Sequence, residues 1–116
     1  MFQTEGFKIL SGLTDAILQR QEILSNNLTN IETKNFIRQD IDFSRVLSGL
    51  QNNLVTGGEE SESILSTARY RDYSGQMTLE SEMSKLYDNH LRYTLIIKSI
   101  SHHFEHMKKA LEVRAS

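Results

Sequence analysis

The stretch that decides the fold runs from residue 79 to residue 113 and reads LESEMSKLYDNHLRYTLIIKSISHHFEHMKKALEV. Two columns of side chains repeat there every seven residues, and the second column lies four residues after the first. They are Leu79, Leu86, Tyr93, Ile100 and Met107, followed by Met83, His90, Ile97, Phe104 and Leu111. All of them except His90 are apolar or aromatic. Such a heptad pattern predicts one long helix with a coiled-coil seam.

The sequence also predicts where this C-terminal helix begins. Thr78 is the expected N-cap, and Glu80 and Glu82 follow in the first turn, where negative charge suits the helix dipole. Basic side chains, Arg114 among them, lie near the other end, as the dipole also favours. His90 is the polar residue of the seam. A polar residue at such a position more often fixes the register of paired helices than performs catalysis.

A second amphipathic helix is predicted at the N-terminus, over residues 4 to 31. Its apolar side chains also repeat every seven residues, in the columns Leu10, Ile17, Leu24 and Ile31, and Phe2, Ile9, Ala16 and Ile23. Gly6 and Gly12 weaken its first turns, since glycine lowers helix propensity. The helix is expected to end near Asn30.

The segment between the two helices differs in composition. Four glycines interrupt it, and residues 59 to 63 form a short acidic, polar run. Residues 44 to 54 have the apolar spacing of a short helix. We expect the remainder to be a mobile connector that becomes ordered, if at all, only against a partner.

The predicted fold is therefore mainly α, with the N- and C-terminal helices paired as a coiled-coil-like hairpin. The hairpin is completed by a largely irregular, partly extended connector. The corresponding divisions are residues 1–31, 32–78 and 79–116. The chain of 116 residues has a net charge of −2, made up of −2 for residues 1–43, −1 for 44–78 and +1 for 79–116, so the charges of the two helices are only mildly complementary. We therefore expect the apolar seams to pair the helices.

Composition excludes several kinds of chemistry. The chain has no cysteine, so disulfides, thiolate nucleophiles and cysteine-based metal sites are ruled out. It has no proline, which agrees with long helices. Basic residues are interleaved with acidic ones, so we expect no nucleic-acid partner. We find no membrane segment, glycine-rich phosphate loop or catalytic constellation, and expect no enzyme activity, cofactor or small-molecule substrate.

Histidines near the C-terminus form the best candidate for a metal site. His102 and His106 lie one helical turn apart, a spacing that can hold zinc or nickel. The sequence offers no evident third ligand. We therefore favour side chains on a solvated or partner-facing surface, and predict no metal.

Two aspartates invite a catalytic interpretation. Asp40 and Asp42 flank Ile41 and resemble an acid/base pair. The alternation through Phe43 is more typical of an extended segment that docks its apolar side chains. In that interpretation both carboxylates face water.

One stretch of the sequence indicates a protein family more specifically than the heptads do. Residues 27 to 43 read NLTNIETKNFIRQDIDF, and they resemble the N-terminal signature of bacterial flagellar rod, hook and hook-associated axial proteins. That signature has the form Asn-apolar-Ala-Asn-x-x-Thr-Pro-Gly-Tyr. Residues 40 to 43, with Leu79 to Met83 and Asn89 to Tyr93, resemble the proximal rod type in particular. Lys34 and Asn35 stand where the family has Pro-Gly. Asparagine can adopt the left-handed conformation that glycine supplies there.

The resemblance implies an assembly role. Axial proteins of this family pair their terminal helices in an inner layer around a central channel and stack helically. The implied partners are copies of the chain, other rod proteins, the membrane ring or its rod adaptor, and the type III export apparatus. The implied location is the periplasmic rod of the basal body, reached without a cleaved signal. The assembly residues that we predict are Leu10, Ile17, Leu24, Asn27, Asn30, Ile31, Phe36, Ile41, Phe43 and the ten heptad residues between Leu79 and Leu111.

Two alternatives remain open. A soluble coiled-coil adaptor or chaperone-like protein needs only the heptads, but leaves residues 27 to 43 unexplained. A metal-responsive helical protein would use His102 and His106.

Overall fold

A computed structural model describes residues 5–56, 61–75 and 77–115. Its elements, in chain order, are α1 (Glu5–Thr29), β1 (Gln39–Ile41), α2 (Phe43–Thr56), α3 (Ser61–Ala68), β2 (Arg69–Arg71) and α4 (Leu79–Ala115). The predicted fold class is confirmed: the chain is mainly helical, and its long terminal helices pack against each other.

The terminal helices run antiparallel. Phe7 of α1 stacks on His103 near the end of α4, while Asn27 at the other end of α1 donates a hydrogen bond to Glu82 in the first turn of α4. With 25 and 37 residues, the helices are about 37 and 55 Å long at 1.5 Å per residue. They account for the elongated shape of the molecule, which measures 65 × 30 × 16 Å.

The predicted start of α4 is confirmed. The hydroxyl of Thr78 accepts a hydrogen bond from the Ser81 backbone N–H at 3.1 Å, and the Thr78 carbonyl accepts one from Glu82 N–H at 3.0 Å. This is the bonding of an N-cap, which satisfies a donor that the helix itself leaves free.

The connector has more regular structure than we predicted. The short helix expected over residues 44 to 54 is present as α2, and the expected extended segment is β1. A third helix, α3, follows, and β2 pairs with β1 in an antiparallel sheet with Asp40 opposite Tyr70. The expectation of a largely irregular segment missed this order, because short helices and strands carry little local signal and are stabilised by packing. Residues 57 to 60 lie outside the described part of the chain.

The hydrophobic core lies between α1 and the connector. It consists of Ala16, Ile23, Ile41, Val46, Leu50, Ile64, Leu65 and Ala68. No residue of α4 belongs to this cluster. The expectation that apolar seams pair the terminal helices is incomplete, because hydrogen bonds from Arg20 to Asp88 and from Asn89 to Ile17 also join them. One stripe of α1 packs on the connector, and a neighbouring stripe, with Ile17, faces α4.

Glycine allows α1 and α2 to approach closely. A Cβ atom at Gly12 would lie 2.5 Å from Cδ2 of Leu50, closer than ordinary Cβ contacts, so the buried Leu50 side chain would have to shift. Gly49 of α2 has the same role against Ile64 of α3, where a Cβ would lie 2.7 Å from Cγ2. The glycine that appeared only to weaken α1 is thus needed at a helix crossing.

A tight turn follows α1. The helix ends at Thr29, one residue before the predicted stop. Asn35 has a φ of 62°, the left-handed conformation that few residues other than glycine and asparagine adopt readily. The prediction that Asn35 can adopt the left-handed conformation is confirmed.

Candidate functional site

Four buried charged side chains join α1, the connector and α4. We call Arg20, Arg38, Asp40 and Glu82 the ionic network, and each is at most 7% exposed. Arg20 Nε donates to Asp40 Oδ1 at 2.7 Å, and Arg38 Nη2 donates to Asp40 Oδ2 at 3.4 Å. Arg38 also donates to both carboxylate oxygens of Glu82. Two positive and two negative charges thus compensate one another in a site from which water is excluded.

The two arginines remain charged in this site. Burial by itself would lower the pKa of Arg38, but its hydrogen bond to Glu82 and the neighbouring carboxylates raise the pKa overall. The pKa of Arg20 is raised for the same reason, with Asp40 as the main partner. Bidentate pairing with a carboxylate is the geometry that a guanidinium fits best.

The rim of the network carries two more carboxylates. Asp72 accepts hydrogen bonds from the hydroxyl and backbone N–H of Ser74 and from Arg38, and these bonds lower its pKa to about 2. Asp88 of α4 is partly buried, which would raise its pKa, but hydrogen bonds from Arg20 and Arg92 lower it overall. Both therefore stay ionised near neutral pH.

Two buried asparagines extend the polar contacts. The Asn27 amide donates to the Gln39 carbonyl at 2.8 Å and accepts from the Gln39 N–H at 3.1 Å, so one side chain pairs with a strand residue as another strand would. Asn89 of α4 donates to the backbone carbonyl of Ile17 in α1 at 3.0 Å. The Asn89–Ile17 and Arg20–Asp88 bonds therefore add polar contacts between α1 and α4.

The prediction that both aspartates of the extended segment face water is wrong for Asp40. Its carboxylate is 3% exposed and lies between Arg20 and Arg38. Asp42 instead begins α2, accepting hydrogen bonds from the Ser44 backbone N–H and hydroxyl, which lower its pKa. The two carboxylates therefore have different surroundings, with Asp40 buried between arginines and Asp42 partly exposed at the start of α2.

A sequence signal for the network existed in the heptads. Leu13, Arg20 and Asn27 repeat every seven residues on α1, so two polar residues occupy an apolar stripe. On α4, Glu82 and Asn89 begin another such column. Polar residues at seam-like spacing indicate buried pairing. Of these polar residues, only Asn27 is among the assembly residues predicted from the sequence.

The ten heptad residues of α4 divide into two groups. In the first column, Leu86, Ile100 and Met107 are half-buried. Tyr93 of the same column is 36% exposed and lies beside α1. Leu79, before them in the same column, is 52% exposed. The second column, Met83, His90, Ile97, Phe104 and Leu111, is exposed throughout, and we call it the outer column. Its apolar members are between 38% and 53% exposed.

The other predicted assembly residues lie mostly within the chain's own fold. Ile17, Leu24 and Ile41 are buried and Asn27 is in the polar interface. The half-buried ones are Leu10, Asn30, Ile31, Phe36 and Phe43. Phe43 has the guanidinium of Arg92 4.7 Å and that of Arg20 5.4 Å from its ring centroid, a cation–π arrangement that links α2 to both long helices.

The histidines near the end of α4 are close together. The rings of His102 and His106 stack with their centroids 6.4 Å apart, and both residues are exposed. His103 lies half-buried against Phe7. Within residues 5–56, 61–75 and 77–115 no group of three or more His, Asp or Glu side chains is placed to hold a metal ion.

Comparisons with known proteins add no relative. No protein-family model matches the chain, and no curated protein matches it. The described helices include none with the length and apolar character required to cross a membrane. The likeness to flagellar axial proteins consequently rests on the residues quoted above.

Proposed function

We propose that this chain is a structural subunit of the bacterial flagellar basal-body rod, of the proximal rod type. In this proposal it polymerises helically through its terminal helices, connects the membrane ring or its rod adaptor to the drive shaft, and transmits torque. Its partners are copies of itself and other rod proteins. It reaches the periplasm through the flagellar type III export apparatus without a cleaved signal.

The observation that carries the proposal is the exposed outer column of α4. A helix that covers one apolar stripe with α1 and leaves a second, heptad-spaced stripe exposed is built for further helical neighbours. Helical stacking in an axial assembly provides those neighbours on every subunit.

The ionic network supports the same proposal mechanically. It ties the connector to both long helices through buried, charge-assisted hydrogen bonds, for example Arg38 to Glu82 and Arg20 to Asp40. A subunit that transmits torque must resist shear between its helices. Directional bonds between buried groups resist sliding better than apolar contacts, which re-form after a small shift.

Gene deletion with complementation tests the proposal in the bacterium that encodes the chain. Deletion should abolish the hook and filament and leave the membrane ring in place. The wild-type gene should restore motility, whereas Met83→Asp with Leu111→Asp should not, because charge in the outer column opposes helix packing. Leu95→Asp, at a residue that is 65% exposed on another face of α4, is the matched control. A full set of hooks and filaments after deletion would refute the rod assignment.

A soluble coiled-coil adaptor remains the alternative, and the same outer column favours it, since any helical partner can use such a stripe. Light scattering distinguishes the two. An adaptor should form a small oligomer of defined size that never joins other rod components, whereas a rod subunit should enter growing assemblies when those components are supplied.

A further inference from the structure

Three histidines near the end of α4 border one depression in the surface of the molecule. His102, His103 and His106 line it from α4, and Phe7 and Leu10 line it from the first turns of α1. His102 and His106 are exposed, whereas His103 is half-buried and stacks on Phe7. The proposed rod function uses the chemistry of none of these three imidazoles.

The rings of His102 and His106 are placed so that one metal ion can bind both. The two residues lie one helical turn apart, and their rings are inclined by 27° with centroids 6.4 Å apart. A metal ion about 2 Å from a ring nitrogen lies about 3 Å from the centroid of that ring. The observed separation is therefore at the upper limit for a shared ion, and a small rotation of these exposed side chains shortens it.

We propose that His102 and His106 chelate one divalent transition-metal ion, copper, nickel or zinc, and that water completes its coordination. Imidazole nitrogen is a ligand that these ions prefer, whereas calcium and magnesium require oxygen ligands. Lys98 and Lys109 lie within one turn of the pair, and their positive charge further disfavours cations that are held by charge alone. Copper should bind most tightly, because the affinity of a given site rises from nickel to copper and falls again at zinc.

Two protein ligands suffice for this kind of site. The sequence predicts no metal because it offers no third ligand, and among the described residues no third His, Asp or Glu is placed to hold an ion together with this pair. Once one imidazole has bound the ion, however, the other is present at a high effective concentration on the same helix. The site is thus suited to reversible binding, in contrast to the four-ligand centres that hold structural zinc.

His103 provides an independent observation at the same depression. Its Nε2 atom is buried and has no hydrogen-bond partner among the described residues. A buried polar atom without a partner calls for a water or an ion beside it. A water molecule bound to the ion at His102 and His106 is a donor of the required kind, so His103 becomes an outer-shell partner of the site.

The ion should stabilise the last turns of α4, because it joins side chains of two successive turns only when these turns are helical. Metal that binds the folded chain and not the unfolded one raises the free energy of unfolding. The proposal concerns the isolated chain and does not rest on the flagellar assignment.

Calorimetric titration with Cu²⁺, Ni²⁺ and Zn²⁺ salts tests the site on the full chain, purified without a histidine tag because the tag would bind the same ions. We expect one Cu²⁺ ion per chain. His102→Ala and His106→Ala should each weaken its affinity at least about tenfold, since loss of even an outer-shell partner costs that much. Both residues are exposed and alanine favours helix, so the circular dichroism of the two variants should be unchanged.

His90→Ala is the matched control. His90 is also exposed on α4, but no other histidine lies one turn before or after it, so its loss should leave the affinity for Cu²⁺ unchanged. His103→Phe keeps an aromatic ring against Phe7 and removes the nitrogens. It should weaken binding by a smaller factor than His102→Ala does.

Electron paramagnetic resonance identifies the ligands directly. The Cu²⁺ complex of the wild-type chain should show coupling to two imidazole nitrogens, and His106→Ala should reduce this to one. Three results would overturn the proposal. They are a wild-type chain that binds Cu²⁺ no more tightly than His102→Ala, a loss in His90→Ala equal to that in His102→Ala, and a loss in His103→Phe as large as that in His102→Ala.

Discussion

Arg38 and Glu82, which are 44 residues apart in the sequence, are joined inside the molecule by two hydrogen bonds from the guanidinium to the carboxylate. Arg38 comes from the connector just before β1, and Glu82 comes from the first turn of α4. Glu82 is completely buried, so Arg38 is the partner that makes its charge tolerable. This pair fixes the connector to the start of the C-terminal helix.

Removing one partner of this pair should destabilise the chain strongly. We expect Arg38→Met to lower the free energy of unfolding by about 3 kcal/mol, because it leaves the Glu82 charge buried without its main compensation. Urea denaturation followed by circular dichroism measures the change. The double variant Arg38→Met with Glu82→Leu should recover part of the loss.

Arg45→Met is the matched control for this experiment. Arg45 forms an exposed ion pair with Asp42 at 3.7 Å, and exposed pairs contribute less than about 1 kcal/mol. Equal losses for Arg38→Met and Arg45→Met would contradict the role given to the buried pair.

Asn27 should be sensitive to loss of its amide. Asn27→Leu keeps the volume but removes the bonds to both backbone groups of Gln39 and the donor to Glu82. Because buried groups are left without partners, we expect a loss of about 1–3 kcal/mol in the free energy of unfolding. Asn26→Leu, on the exposed side of α1, should change it by less than about 0.5 kcal/mol. Equal stability of Asn27→Leu and Asn26→Leu would contradict the stabilising role of the Asn27 hydrogen bonds.

Acid should weaken the fold through Asp72. Its pKa in the folded chain is lowered from 3.8 to about 2, so the ionised form is favoured in the folded state. The stabilisation is therefore complete above the unfolded pKa and is lost as the pH falls from about 4 towards 2. Asp72→Asn should make the decline in melting temperature over this window shallower. Replacing the exposed Asp15 of α1 by Asn should leave the decline in melting temperature unchanged. If Asp72→Asn declined as steeply as the wild-type chain, the Asp72 carboxylate would not be a source of the acid sensitivity.

The turn after α1 should depend on the conformation of Asn35. Asn35→Gly keeps the positive φ accessible and should leave the melting temperature nearly unchanged. A β-branched residue opposes this conformation, so Asn35→Val should cost about 1–2 kcal/mol. The exposed Lys34, replaced by Val, controls for the change of side chain alone. Equal stability of Asn35→Gly and Asn35→Val would mean that the turn carries no conformational demand.

Much of the fold was predictable because its signals are local. The heptads of α4 and the stripe of α1 depend on spacing along one helix, and the Thr78 cap depends on residues within one turn. The left-handed conformation of Asn35 was predictable because asparagine, like glycine, can adopt it. The order of the connector was not predictable in this way, because α3 is short and becomes stable only with Ile64 and Leu65 in the core.

The sequence by itself determined that the chain is mainly helical, that its long helices lie at the two ends, and that no thiol chemistry is present, since periodicity and composition need no partner to be read. Only the tertiary structure decided which columns are covered. It placed the core between α1 and the connector, buried Asp40 between two arginines, and left the outer column exposed. The physical reason is that burial of a charge or a stripe depends on what packs against it, and for Asp40 and Glu82 those partners are 20 and 44 residues away along the chain.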